Sequence, residues 1–148
     1  MIQCTFENGN AARLRHAVVD ALIVQDNKIL LVKRAEQLLG GGKWAIPGGF
    51  MDRDETAIEA VMREVLEETG YTNAVQELFT VLDKPDRTGD DRQNISFIFV
   101  VNVIKQVKAP DHESSALQWF PLDALPAPAE MAFDHLSIIW DWRAGLDK

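Results

Sequence analysis

The chain has 148 residues, 47% hydrophobic and 26% charged, which fits one soluble globular domain, residues 1–148, with a sizeable core. Its formal net charge of −8 argues against a large nucleic-acid footprint, which needs a basic stripe. No apolar run approaches the roughly 20 residues that span a membrane, and Met1 to Arg15 lacks the apolar core of a signal peptide. A cytoplasmic protein with no membrane partner is the expectation. Cys4, the sole cysteine, leaves no intrachain disulfide and no thiolate metal site.

Ile2 to Phe6 reads as a short strand turned by Asn8-Gly9. His16 to Val24 is apolar and β-branched, a buried strand, and Gln25-Asp26-Asn27 turns it into a second strand over Lys28 to Arg34. Gly40 to Gly42 marks a loop, and Lys43 to Pro47 is a short extended lead into Gly48 and Gly49. A helix follows over roughly Glu55 to Thr69, with Asp54, or Asp52 before it, placed to cap its start and Gly70 to end it. Strands are expected over Ala74 to Leu82, Asn94 to Ile104 and Leu117 to Phe120, with polar loops at Asp83 to Arg92 and Ala109 to Ser115. A terminal helix is expected over Met131 to Arg143, where Phe133, Leu136, Ile139 or Trp140, and Arg143 recur at helical spacing. Strands, helix, strands, helix imply an α/β fold, a mixed sheet between helices in an α/β/α sandwich.

The chemistry concentrates in the first helix, in the run Arg63-Glu64-Val65-Leu66-Glu67-Glu68-Thr69-Gly70. Residues on a helix turn about 100° each, so Glu64, Glu67 and Glu68 share a face. Three carboxylates there repel one another unless something positive sits among them, and a hard divalent cation that prefers oxygen ligands answers that need. Ile58, Val61, Met62, Val65 and Thr69 form the opposite, core-facing side. Ala57 and Ala60 extend the acidic face toward the helix start and, being small, leave room for a ligand.

Gly49 to Tyr71 resembles the Nudix box. The pattern of the family, Gly, five residues, Glu, seven residues, Arg-Glu, an aliphatic, one residue, Glu-Glu, one residue, Gly and an aliphatic, is met by Gly49, Glu55, Arg63, Glu64, Val65, Glu67, Glu68 and Gly70. Tyr71 departs from it, aromatic where an aliphatic is usual. Trp44, Pro47 and Gly48 match the usual lead-in. The resemblance implies the same α/β/α architecture and a hydrolase that cuts a diphosphate linked to another group. ADP-ribose or a nucleotide sugar is the favoured nucleotide substrate.

It further implies Mg²⁺ or Mn²⁺ held by Glu64, Glu67, Glu68 and the carbonyl of Gly48. Arg63 would pair with carboxylates, Glu67 at i+4 among them, and Glu55 would join loop to helix. Glu64, Glu67 and Glu113 are alternative general bases. Arg34, Arg92, Trp44 and Gly49 are candidate substrate contacts, with Arg15, Arg87 and Phe6 behind them. Asp134 is placed either to read a base edge or to cap the last helix. A homodimer is expected from the family alone. Two rival functions remain open, a house-cleaning pyrophosphatase of nucleoside triphosphates and a non-catalytic nucleotide sensor.

Overall fold

The computed structural model describes residues 1–87 and 92–146. Its elements in chain order are β1 Ile2–Thr5, β2 Ala11–Leu14, β3 Ala17–Leu22, β4 Val24–Gln25, β5 Lys28–Arg34, β6 Trp44–Ala45, β7 Gly48–Phe50, α1 Ala57–Thr69, β8 Tyr71–Leu82, β9 Ile95–Gln106, β10 Ser114–Pro121, a 3₁₀ turn at Pro128–Glu130, and α2 His135–Leu146.

Successive side chains on a strand point to opposite faces, and both faces of β3 are buried. Val19, Ala21 and Ile23 join Phe99 and Val101 of β9 beneath Ala60, Val61 and Val65 of α1. Leu22 joins Ile98 and Val100 beneath Leu136, Ile138, Ile139 and Trp142 of α2. The sheet between the helices runs β7-β3-β9-β8. Within it β3 and β9 are parallel and the other pairs antiparallel, so it is mixed. A second sheet runs β10-β5-β4 with β6 against β5, and β1-β2 form a separate hairpin. This is the α/β/α sandwich that the order of elements predicts. Asp26 and Asn27 both adopt left-handed backbone in the turn before β5 (φ 50° and 58°), as a tight hairpin turn requires.

Three local expectations change. Helix α1 starts at Ala57, and its cap is Thr56 rather than Asp54 or Asp52: the Glu59 N–H donates to Thr56 Oγ1 at 3.2 Å, while the Glu59 carboxylate accepts from the Thr56 N–H at 2.8 Å. That reciprocal capping box satisfies two otherwise orphaned donors, and Asp54 instead occupies a left-handed turn at φ 70°. The buried side of α1 is also rotated. Ala60 is fully buried and Ala57 packs beside it, so they form core and no ligand ledge, whereas Ile58 and Met62 face outward. The last helix starts at His135, because Phe133 has φ 53° and a left-handed residue interrupts helical geometry.

Candidate functional site

The chain enters α1 through a tight passage. A Cβ on Gly48 would lie 2.2 Å from the Val19 carbonyl oxygen and 2.8 Å from Asp20 Oδ1, and one on Gly49 would lie 2.5 Å from Glu64 Oε1. Only glycine lets β7 approach both the β3 backbone and the acidic helix. Behind this passage Glu68 Oε2 accepts from the Gly48 N–H at 2.9 Å.

Arg63 is the hub of the helix end. Its Nε and NH2 donate to the two oxygens of Glu55 (3.1 and 2.7 Å), its NH1 donates to Glu64 (2.7 Å) and Glu67 (3.2 Å), and its NH2 also reaches the Phe50 carbonyl (2.9 Å). The hydrogen bonds to Arg63 hold the Glu55 carboxyl below its usual range. Glu64 is pushed up instead: burial dominates, and the charges of Glu67 and Glu113 add to it against the opposition of Arg63. Burial also pushes Glu68 up to about 8, with the Gly48 N–H working in the other direction.

A second polar group lies across the sheet. Arg87 donates from Nε and NH2 to the two oxygens of Asp134 (2.8 and 2.9 Å) and from NH1 to Ser96 Oγ. Burial works against the Asp134 charge, but Arg87 outweighs it and holds the carboxyl below its ordinary value. Beside them the Ile46 N–H donates to His135 Nδ1 at 3.1 Å, which places the proton of a neutral imidazole on Nε2, 3.8 Å from Asp20 Oδ1. Burial lowers His135 to about 4 and raises Asp20 to about 7.

Both groups open on one cleft of about 470 Å³, within the range of small-molecule sites. Gly48, Gly49, Arg63, Glu64, Glu67, Glu113, Arg34 and Arg92 all line it, so most of the residues singled out from sequence converge. Arg34 lies over the Phe133 ring at 5.3 Å, and Arg92 over the Phe50 ring at 5.3 Å. Trp44 does not line the cleft. Its ring packs edge-on against Phe120 at 4.8 Å, because β6 delivers it into the core between β5 and Met131. Glu68 is buried behind Gly48, and Phe6 is on the hairpin. Arg15 donates to the Gln93 and Asn94 carbonyls. Both oxygens of the Asp134 carboxylate accept from Arg87, which ties the turn before α2 to the loop after β8.

Sequence reasoning passed over Asp20, Ser96 and Phe50. Asp20 carried a signal, a lone carboxylate in the apolar run Ala17-Val18-Val19-Asp20-Ala21-Leu22.

Among the described residues no three acidic, His or Cys groups form a ready coordination shell. Glu64 and Glu67 turn to Arg63 and Glu68 to the Gly48 N–H. The donor set nonetheless suits a hard divalent cation. It offers only oxygens, burial with the added charges of Glu67 and Glu113 makes Glu64 resist ionisation, and two glycines keep open the space that a Cβ would fill. Glu64, Glu67, Glu68 and the Gly48 carbonyl are the groups that would hold it. Among the described residues no helix is long and apolar enough to cross a membrane.

Comparison with known proteins places these features in a family. The NUDIX domain model matches residues 14–140. An ADP-ribose pyrophosphatase of Methanocaldococcus jannaschii is 44% identical over 132 residues, covering 86% of this chain and 74% of that protein. A putative 8-oxo-dGTP diphosphatase of Bacillus subtilis is 36% identical over 102 residues, 69% of this chain and 63% of that protein. The solved structure of an ADP-ribose pyrophosphatase from Streptococcus suis superposes with a TM-score of 0.70 at 26% identity, covering 88% of this chain and 92% of that one.

Proposed function

This chain belongs to the NUDIX family and is a Nudix hydrolase, and from that premise we propose that it cuts the diphosphate of ADP-ribose or a closely similar nucleoside diphosphate derivative. The observation that carries this reading is the sharing of one cleft by the Arg63-centred carboxylates and by a wall of aromatic and arginine side chains. The first suits a cation-assisted attack on phosphorus, the second a nucleoside. The similarity to the Methanocaldococcus jannaschii and Streptococcus suis proteins supports the choice of ADP-ribose.

Mg²⁺ or Mn²⁺ bound at Glu64, Glu67, Glu68 and the Gly48 carbonyl would neutralise diphosphate oxygens and lower the pKa of a water. The residues of the chain do the rest. Arg63 fixes the rotamers of Glu64 and Glu67 through one guanidinium group, so the carboxylates are preorganised. Glu64, Glu67 or Glu113 takes the proton of the attacking water, and all three line the cleft. Arg92 and Arg34 supply positive charge for the phosphate remote from the cut.

The similarity to the Bacillus subtilis protein favours a second reading, hydrolysis of a damaged nucleoside triphosphate. Product analysis separates the two. With purified protein and Mg²⁺, ADP-ribose should yield AMP and ribose 5-phosphate. Release of a nucleoside monophosphate and pyrophosphate from 8-oxo-dGTP, with ADP-ribose left intact, would select the rival.

A further inference from the structure

The stretch that brings Gly48 to the acidic helix is fastened residue by residue. The Trp44 carbonyl accepts from the Ala132 N–H at 2.8 Å, the Pro47 carbonyl accepts from the Ala21 N–H at 2.8 Å, and the Gly48 N–H donates to Glu68 at 2.9 Å. Ile46 lies just past the β5–β6 ladder, which ends at the Val32–Ala45 pair. Its side chain is buried in the cluster that holds Leu136, Ile138 and Ile139 of α2, and a backbone N–H at such a place needs an acceptor. The acceptor is a side chain, His135 Nδ1 at 3.1 Å, on a residue only 5% exposed. Pro47 carries no N–H, so Ile46 offers the last backbone donor before Gly48. The far end of the same ring, Nε2, lies 3.8 Å from Asp20 Oδ1. Asp20 faces Gly48 in the β3–β7 register, and its Oδ1 would lie 2.8 Å from a Cβ on Gly48. One imidazole thus runs from the Ile46 N–H to the carboxylate that lies against Gly48.

We infer that His135 is a positioning residue for the cation site: by holding the Ile46 N–H, its Nδ1 fixes where the Gly48 carbonyl meets a divalent cation. This rests on the reading given above, in which that carbonyl is one of the cation's oxygens, and adds to it a group from the opposite helix. A carbonyl can only point as its backbone points, so its aim is set by the bonds on either side of it. Glu68 holds the Gly48 N–H, and His135 holds the approach two residues earlier. Partners that orient metal-binding groups are worth about 10–100-fold in metal affinity. A histidine that only satisfied a buried donor would change stability and leave cation affinity alone.

The test is a calorimetric titration of Mn²⁺, with a non-cleavable ADP-ribose analogue present, into the wild type, His135→Asn, His135→Gln and Ile139→Val. Asparagine sets an amide oxygen where Nδ1 stands, whereas glutamine sets its amide one bond further out, toward Asp20. His135→Gln should bind Mn²⁺ about tenfold or more weakly than the wild type, and His135→Asn within a few-fold of it. Ile139→Val, a core truncation on the same helix, should lower the melting temperature and keep the affinity. Full affinity in His135→Gln, an equal loss in His135→Asn, or the same loss in Ile139→Val overturns the inference. Hydrogen exchange on the wild type checks it without any substitution. Coupling is reciprocal, so a tether that favours cation binding is itself favoured by the cation. Mg²⁺ should therefore slow exchange of the Ile46 N–H more than that of the Leu30 N–H, which bonds the Ile23 carbonyl. Equal slowing of the two amides counts against the tether. A wild type that takes up no Mn²⁺ removes the cation reading itself, whereas uptake unchanged in His135→Gln removes only the role of His135.

Discussion

Two arginines organise the two ends of the cleft, and they do it differently. Arg63 hydrogen-bonds three carboxylates, Glu55, Glu64 and Glu67, whereas among the described residues Arg87 hydrogen-bonds Asp134, with Ser96 as a neutral partner. The first end gathers more carboxylates than its one guanidinium can balance, and burial there, with the charges of Glu67 and Glu113 added, pushes Glu64 up. At the second, one guanidinium pairs with the Asp134 carboxylate, both largely buried. Surplus charge is what a site keeps for a cation. A buried pair of opposite charges holds shape. Changes at the two ends should therefore separate: one set should reduce turnover, the other stability.

The largest effect is expected at the paired end. Arg87→Ala leaves the Asp134 carboxylate buried without its partner, and breaking such a pair costs about 3–5 kcal/mol. Urea unfolding should show that loss, and a change below about 1 kcal/mol would mean that the pair is no structural tie. Glu67→Gln is the counterpart at the surplus end. It should lower kcat on the order of a hundredfold or more while the melting temperature holds, since one of several like charges has gone. Equal turnover in variant and parent would remove Glu67 from the chemistry.

A smaller effect sharpens the comparison through pH. Folded Asp20, raised to about 7, keeps a proton that the unfolded chain releases, so its contribution is present below pH 3.8 and lost as pH rises through about 7. Folded His135, lowered to about 4, lacks a proton that the unfolded chain binds, so its contribution is present above pH 6.5 and lost as pH falls through about 4. Between about pH 4 and 6.5 the two oppose one another. Relative to the wild type, the stability of Asp20→Asn should climb with pH across that window, and that of His135→Gln should fall, each by at most about 1.4 kcal/mol per pH unit. Denaturant curves at three pH values decide it, and slopes of the same sign in both variants would contradict the pairing. The smallest effect is at the cap, where Thr56→Ala should cost about 1 kcal/mol and leave the KM for ADP-ribose unchanged.

The same contrast explains what could be read without coordinates. Every partner of Arg63 lies within 13 residues of it, on a helix or its entry loop, so the spacing of Glu55, Arg63, Glu64 and Glu67 was sufficient to bring them together. The Arg87–Asp134 pair spans 47 residues and depends on the loop after β8 meeting the turn before α2, which no local pattern encodes. Strand Lys28–Arg34 was legible to the residue because apolar side chains fill it between clear turn signals. The start of α1 was not, because three side chains, Asp52, Asp54 and Thr56, could each cap it. The cue that settles it is the spacing from Thr56 to Glu59, which closes a capping box. Trp44 was placed with the substrate on the strength of its neighbours in sequence, but a two-residue strand points it at Phe120.

The central claim is that the carboxylates around Arg63 seat a divalent cation for diphosphate cleavage. Calorimetric titration of Mg²⁺ or Mn²⁺ into the purified protein, in the presence of a non-cleavable ADP-ribose analogue, tests it most directly. Saturable uptake by the wild type, abolished in Glu64→Gln and Glu67→Gln at unchanged melting temperature, is the predicted result. No uptake by the wild type, or the same uptake by both variants, would contradict it.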